Sequence, residues 1–449
     1  MKVEVVGRKL IKPSIPTPEN LNKYKLSLTD ELSPPMNVPI ILFYSISQDT
    51  QNYSERNSCL EESLAKILSQ FYPFAGRYIK NDHLVDCSDQ GAEFVEAQVV
   101  DDVHLLDFIA QVKPEQLSDL LPRDPCAVDD ITDPLLSIQL TTFTYGGLAI
   151  GVSMSHRIVD AESLATLVAA WANANKYSEE EKFRISPSFD SPRLFPSKKM
   201  EIDLGIDVPR TRDPSTVAKR IVFNKEAVAS LKAKTRSGGG SRVRVVCALI
   251  AKVLIGVDRA RKREWRGCAI AQAVNIRERT IPPLAKHSCG NLAAQAVFKC
   301  EAASGINDMG FQDLFDKLGD AIHKTSADCA RTLGDQGDGG HNILVDPVMN
   351  LIDTIVSDEM SVLFFSDWTK CRFYEVDFGW GKPIWTSIET MPGENLTVLM
   401  GDGIEAWVHL NQKDMPYLEQ DEELKAFVAL AFDSQRQSCE FKPIDAICR

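Results

Sequence analysis

The sequence predicts an α/β protein of two domains, and three observations carry that reading. Its 449 residues suffice for two full hydrophobic cores. Segments with strand and helix character recur on both sides of a central break. The break itself, residues 186–215, places Pro187, Pro192, Pro196, Pro209 and Pro214 among several charges and shows no periodic pattern, which reads as an interdomain linker. The expected units are residues 1–185, the linker 186–215, and residues 216–449.

Taken in order, Ser58-Cys59-Leu60-Glu61 has the form of a capping box, and Leu60, Leu64, Ile67, Leu68 and Phe71 follow at helical spacing. This predicts an amphipathic helix over 58–71. Residues 135–145 and 148–155 are rich in strand formers and are joined by Gly146-Gly147, the chemistry of a tight hairpin. The second strand ends at His156. An Ala- and Leu-rich helix is expected over 162–174. After the linker, Arg220-Ile221-Val222-Phe223 reads as a strand and 225–234 as a helix. Gly238-Gly239-Gly240 is a loop before a further helix through Val246, Leu249, Ile250, Val253 and Leu254. Residues 301–345, dense in Gly, Asp and Ser, are expected to form a surface excursion around one short helix.

Composition excludes several function classes. With 44% hydrophobic and 25% charged residues, the chain is neither disordered nor fibrous. A net charge of −13 with no basic stripe argues against nucleic-acid binding. The 11 cysteines form no CxxC pair, and the seven histidines show no metal-ligand spacing. Reduced thiols and no bound metal are expected. The N-terminus is charged throughout, and no apolar run reaches the ~18 residues that span a bilayer. The simplest expectation is a cytoplasmic monomer without membrane contact.

Two motifs carry chemistry. His156-Arg157-Ile158-Val159-Asp160 places a histidine at the exit of the apolar run 148–155, a good position for a general base. Far downstream stands Asp377-Phe378-Gly379-Trp380-Gly381. It lacks the HRD and VAIK companions of a kinase DFG, and Ile384 breaks any dinucleotide fingerprint. Together, HxxxD and DFGWG resemble the paired signature of the plant BAHD acyltransferases, which move acyl groups from coenzyme A. Further segments match in order: Leu26-Ser27-Leu28-Thr29-Asp30, Phe71-Tyr72-Pro73-Phe74-Ala75-Gly76-Arg77, Gln272-Ala273-Val274-Asn275-Ile276-Arg277 and Gly290-Asn291-Leu292. The pattern is most similar to the vinorine synthase-like branch, whose members acetylate hydroxyls of alkaloids and other specialised metabolites.

The resemblance implies two similarly built, chloramphenicol-acetyltransferase-like domains, each a mixed sheet with helices, and an active-site tunnel between them. It implies His156 as the base, and an architectural pair in which Asp160 turns from the site to Arg277. It also implies a structural role for Asp377, Gly379 and Gly381. An acyl-CoA, with acetyl-CoA leading by branch resemblance, would be a co-substrate and not a tightly bound cofactor. Ser241 and Arg242, opening a helix, are the expected phosphate contacts. Asn291 is the expected donor to the thioester oxygen or a tunnel-lining group. The acceptor is expected to be a small-molecule hydroxyl, with an alkaloid favoured over a terpenoid alcohol or an acyl sugar. A malonyl donor is disfavoured because His287-Ser288-Cys289-Gly290-Asn291-Leu292 replaces the Tyr-Phe-Gly-Asn-Cys segment of a malonylating branch. Three rivals remain. One is a serine hydrolase at Gly151-Val152-Ser153-Met154-Ser155, which lacks the closing glycine of a nucleophile elbow. The others are an acyl-cysteine at Cys289 and a catalytically silent family member that only binds ligands.

Overall fold

The computed structural model describes residues 1–46, 50–177, 185–200, 210–236, 238–262, 266–301, 309–333, 338–401 and 403–428. Pro209 and residues 334–337, both used in the expectations above, lie outside the described residues.

Among the described residues, two six-stranded mixed sheets dominate. The first has the order β1 (Val3–Ile11), β6 (Ala92–Val99), β7 (Leu136–Thr142), β8 (Leu148–Ser155), β3 (Asn37–Tyr44) and β13 (Trp385–Ser387). The second runs β11 (Ala293–Cys300), β10 (Cys268–Asn275), β12 (Ser361–Asp367), β14 (Leu396–Met400), β15 (Ile404–Asn411) and β9 (Thr216–Phe223). A small sheet of β2 (Lys23–Lys25), β5 (Leu84–Asp86) and β4 (Arg77–Ile79) flanks the first. Strands β3 and β8 are buried at every position, which explains why they are apolar apart from Asn37, Ser153 and Ser155. They pair antiparallel from Asn37–Ser155 to Tyr44–Leu148 and so carry the chain outward to His156. Gly146 and Gly147, both at positive φ, turn the β7–β8 hairpin.

One strand crosses between the halves. Trp385, Thr386 and Ser387 pair with Phe43, Leu42 and Ile41, so the segment after DFGWG completes the first sheet and not the second. Apolar demand accounts for this: Trp385 stacks on Phe43 at 5.0 Å, and Phe373, Val376 and Phe378 join the core of the first sheet. A serial division at residue 216 therefore does not describe every element.

Three other segments differ from the sequence expectations. The helix expected over 58–71 spans Thr50–Leu68, so Ser58 lies inside it instead of capping it. Its downstream apolar face packs as expected, with Leu60, Leu64 and Leu68 fully buried. Residues 301–345 are not a surface excursion around one short helix. Phe311–Cys329 is a long helix whose Phe311, Leu314, Phe315 and Leu318 pack on the core of the second sheet. A second helix, Asp338–Ser357, follows. Frequent Gly, Asp and Ser on the outer faces obscured both apolar stripes. Finally, the linker region is tied to both halves. Leu28 N donates to Phe195 O (2.8 Å), Ser188 N to His287 O (3.0 Å) and Cys289 N to Ser188 O (2.8 Å). Phe195 is buried among Leu28, Ile276 and Leu292. No described helix is long and apolar enough to cross a membrane.

Candidate active site

A cavity of about 930 Å³ is lined from both halves of the chain, by His156, Arg157 and Glu162 on one side and by Asn275, Asn291, Trp368 and Leu396 on the other. His156 enters it from the turn after β8, its backbone N–H held by Met36 O at 2.8 Å. The ring Nδ1 lies 2.8 Å from Asn291 Oδ1. The amide orientation of Asn291 follows from its other partners, because Nδ2 donates to both His156 O (2.7 Å) and Asp30 Oδ1 (2.9 Å). Its oxygen therefore faces the imidazole, Nδ1 must carry the hydrogen, and Nε2 keeps its lone pair. Burial lowers the His156 pKa below its ordinary value, against the opposing pull of the Asn291 hydrogen bond and the Asp160 charge. A neutral imidazole at pH 7 with a bare Nε2 is what a general base requires.

The hydrogen bonds of Asn291 count against one of its two expected roles, that of thioester donor, while its place on the cavity wall fits the other. Both of its amide hydrogens are engaged by protein acceptors, so it has none left to donate to a thioester oxygen. It holds the histidine instead. Gly290 makes this possible: it sits at φ +133°, and a Cβ there would meet Ser191 Oγ at 2.7 Å.

Asp160 caps the helix Ala161–Lys176, its Oδ1 accepting from Ser163 N at 2.9 Å. The Arg277 guanidinium meets the carboxylate with two hydrogen bonds, 2.8 and 2.9 Å, and Leu292 N adds a third donor at 3.0 Å. Burial alone would raise the Asp160 pKa, but Arg277 and the Ser163 donors outweigh it and hold the carboxyl below its usual range. Arg277 also donates from Nε to Ser288 O at 2.9 Å. The pair thus ties the turn after β8 to the segment carrying Asn291.

The DFGWG segment sits at the other end of the same helix. Asp377 accepts from Gly379 N (2.8 Å), Gly381 N (2.9 Å) and Lys176 Nζ (2.5 Å), and Asn175 Nδ2 donates to Phe378 O (2.8 Å). Gly379 and Gly381 have φ of +115° and +105°, so this turn needs residues without a Cβ. Phe378 packs edge-on against Trp171 at 4.8 Å. None of the residues from Asp377 to Gly381 lines the cavity. Ser241 and Arg242 stand at the start of the helix Arg242–Lys262, and they too are outside the cavity wall.

The rival nucleophiles fare poorly. Burial, aided by the Asp160 charge, pushes the Cys289 thiol up to about 12 despite Arg277, so no thiolate is available at neutral pH. Ser153 Oγ is buried and has no hydrogen-bond partner to activate it. Among the described residues, no cluster of three His, Cys, Asp or Glu side chains gathers to hold a metal ion.

A feature that sequence reading missed is Glu162, two residues beyond Asp160 and on the cavity wall. Cys371 Sγ contacts its Oε2 at 3.9 Å, and burial raises the Glu162 pKa against the opposing charge of Arg277. Only its proximity to the motif hinted at this position.

Comparison with known proteins identifies the family. A family model described as Transferase family matches residues 1–425. The chain is a BAHD acyltransferase. A malonyltransferase of Salvia splendens, pelargonidin 3-O-(6-caffeoylglucoside) 5-O-(6-O-malonylglucoside) 4'''-malonyltransferase, is 38% identical over 435 residues, covering 96% of this chain and all of its own length (100%). Vinorine synthase of Rauvolfia serpentina is 35% identical over 431 residues, 93% of this chain and 96% of that enzyme. A crystal structure of vinorine synthase superposes with a TM-score of 0.79 at 34% identity, covering 95% of this chain and 98% of the other. Membership in this acyltransferase family supports an acyl-CoA as the co-substrate.

Proposed function

We propose that the protein transfers an acetyl group from acetyl-CoA to a hydroxyl of an amine-bearing specialised metabolite, with His156 as general base. The observation that carries this reading is the Asn291-held imidazole, which offers a bare Nε2 to a cavity walled by both halves of the chain. Nε2 takes the hydroxyl proton as the acceptor oxygen attacks the thioester carbon. The tetrahedral oxyanion then collapses, and the sulfur of coenzyme A leaves with the proton that His156 held. Direct attack needs both substrates in place at once, and the protonated, buried Cys289 supports that route over an acyl-enzyme. Ser241 and Arg242 remain the proposed contacts for coenzyme A phosphates, at the helix start where backbone N–H groups point outward.

The cavity wall supports both halves of the substrate assignment. Arg157 and Arg210 are already paired with Asp129 and Asp133, which leaves the exposed Lys80 as the remaining lysine or arginine of the cavity wall for a malonyl carboxylate. The 38% identity to a malonyltransferase favours the opposite donor, and for that reason both donors belong in the test. Glu162 makes no direct ion pair among the described residues, although the Arg277 charge acts on it, and the wall also carries Glu31, Asp129, Asp367 and Glu394. This carboxylate-bearing wall suits a protonated amine better than a neutral terpenoid alcohol or an acyl sugar. Coenzyme A release should be measured with acetyl- and malonyl-CoA against hydroxylated alkaloids, terpenoid alcohols and acyl sugars. Acetyl transfer to an amine-bearing acceptor is the expected result. Malonyl transfer alone, or efficient use of neutral acceptors only, would overturn the assignment. Absence of transfer across the whole panel would favour the silent binding protein.

A further inference from the structure

Asp30 is fully buried (0% exposed), and its carboxylate accepts four hydrogen bonds. Two come from Ser27, from N at 2.9 Å and Oγ at 2.6 Å, both to Oδ2, within the capping box of the short helix Leu28–Glu31. The other two come from a single residue 261 positions away: Asn291 N at 3.0 Å and Asn291 Nδ2 at 2.9 Å, both to Oδ1. Capping a helix end requires only the first pair. Half of the hydrogen bonds to Asp30 thus come from the residue that touches the imidazole of His156.

We infer that Asp30 is a positioning residue for His156, selecting the imidazole tautomer by fixing which way round the Asn291 amide sits. This rests on the reading of His156 as the base. Burial raises the Asp30 pKa, and the Ser27 and Asn291 donors oppose it. With four donors aimed at its two oxygens the carboxylate offers only acceptors, so it tolerates the Nδ2 end of the amide and repels the Oδ1 end. Were the amide reversed, its oxygen would oppose the Asp30 carboxylate and its NH₂ would face His156 Nδ1. The imidazole would then place its hydrogen on Nε2, where the base must have a lone pair. His156 O also accepts from Nδ2, but a hydrogen bond to a charged acceptor is the stronger of the two constraints. The chain has built a seat for this contact. Leu28 N is held by Phe195 O, and Cys289 N by Ser188 O, so the linker region holds the Asp30 and Asn291 segments side by side.

The test combines tautomer and turnover in the full-length protein. ¹⁵N spectra of histidine-labelled wild type, with His156 identified by its absence in His156→Ala, should show the hydrogen on Nδ1. A hydrogen on Nε2 would overturn the inference without any Asp30 variant. Asp30→Ala removes the acceptor and should give a tautomer mixture, with turnover of acetyl-CoA lowered about tenfold at little change in its KM. Asp30→Asn can still turn an oxygen toward Asn291 and should restore the Nδ1–H tautomer and most of that loss. A folded Asp30→Ala with the wild-type tautomer and turnover would refute the positioning role alone. Turnover surviving in His156→Ala would instead refute the base on which it rests, so the two failures are distinguishable.

Discussion

The two sequence motifs meet the same helix at opposite ends, and they do unlike work there. Ala161–Lys176 is 16 residues long, about 24 Å at 1.5 Å per residue. At its N-terminus, Asp160 and Arg277 form a buried ion pair beside the cavity, and His156 lies in the turn that precedes them. At its C-terminus, Asp377 and Lys176 form a part-exposed pair over an aromatic cluster, away from the cavity. Both ends read alike in sequence, as an aspartate in a short motif. Desolvation separates them. A buried pair is costly to break because the surviving charge has nowhere to go, whereas water replaces a lost partner at the surface.

Substitutions at the two ends should expose this difference. His156→Ala should lower turnover at least about a hundredfold while leaving the thermal unfolding midpoint near that of wild type. A variant retaining more than about a tenth of wild-type turnover would break the assignment of chemistry to the N-terminal end. The same group sets a pH limb. Because burial lowers its pKa, activity should persist below the ordinary histidine value of 6.5 and fall only at lower pH, as Nε2 becomes protonated. A pH–rate profile with an acidic limb above 6.5 would contradict this.

Asp160→Ala should be the most destabilising change at that end, by about 3–5 kcal/mol in denaturant unfolding, since it strands the buried Arg277. The sign of its pH dependence is fixed by the depressed carboxyl pKa. The pair's contribution is complete above the unfolded value near 3.9 and is lost as pH falls through the lower folded value. Wild type and Asp160→Ala should therefore converge in stability in strong acid. At the other end, Phe378→Ala should cost about 3–5 kcal/mol by opening a cavity against Trp171. Lys176→Ala should be the mildest, at most about 1 kcal/mol, and should leave turnover near wild type. If Lys176→Ala proved as damaging as Asp160→Ala, burial would not be what distinguishes the two ends.

Local sequence alone determined much of this. The mainly apolar run of β8 specified a buried strand, Gly146-Gly147 its hairpin, and the HxxxD segment a histidine at its exit, because periodicity and turn chemistry act over a few residues. Resemblance of the motifs then supplied the family and the pairing partner Arg277. Tertiary structure decided what depends on groups distant along the chain. It turned the Asn291 amide toward His156 and exhausted its donors, which spacing could not reveal because orientation follows from Asp30, 261 residues away. It placed Trp385–Ser387 in the first sheet, because aromatic burial against Phe43 outweighs chain order. It made cavity wall and core of the helices within 301–357, whose apolar stripes polar composition masked. It also set Glu162 on the cavity wall within the field of Arg277, a fact about neighbours and not about sequence: which charges act on a group depends on which surfaces fold against it.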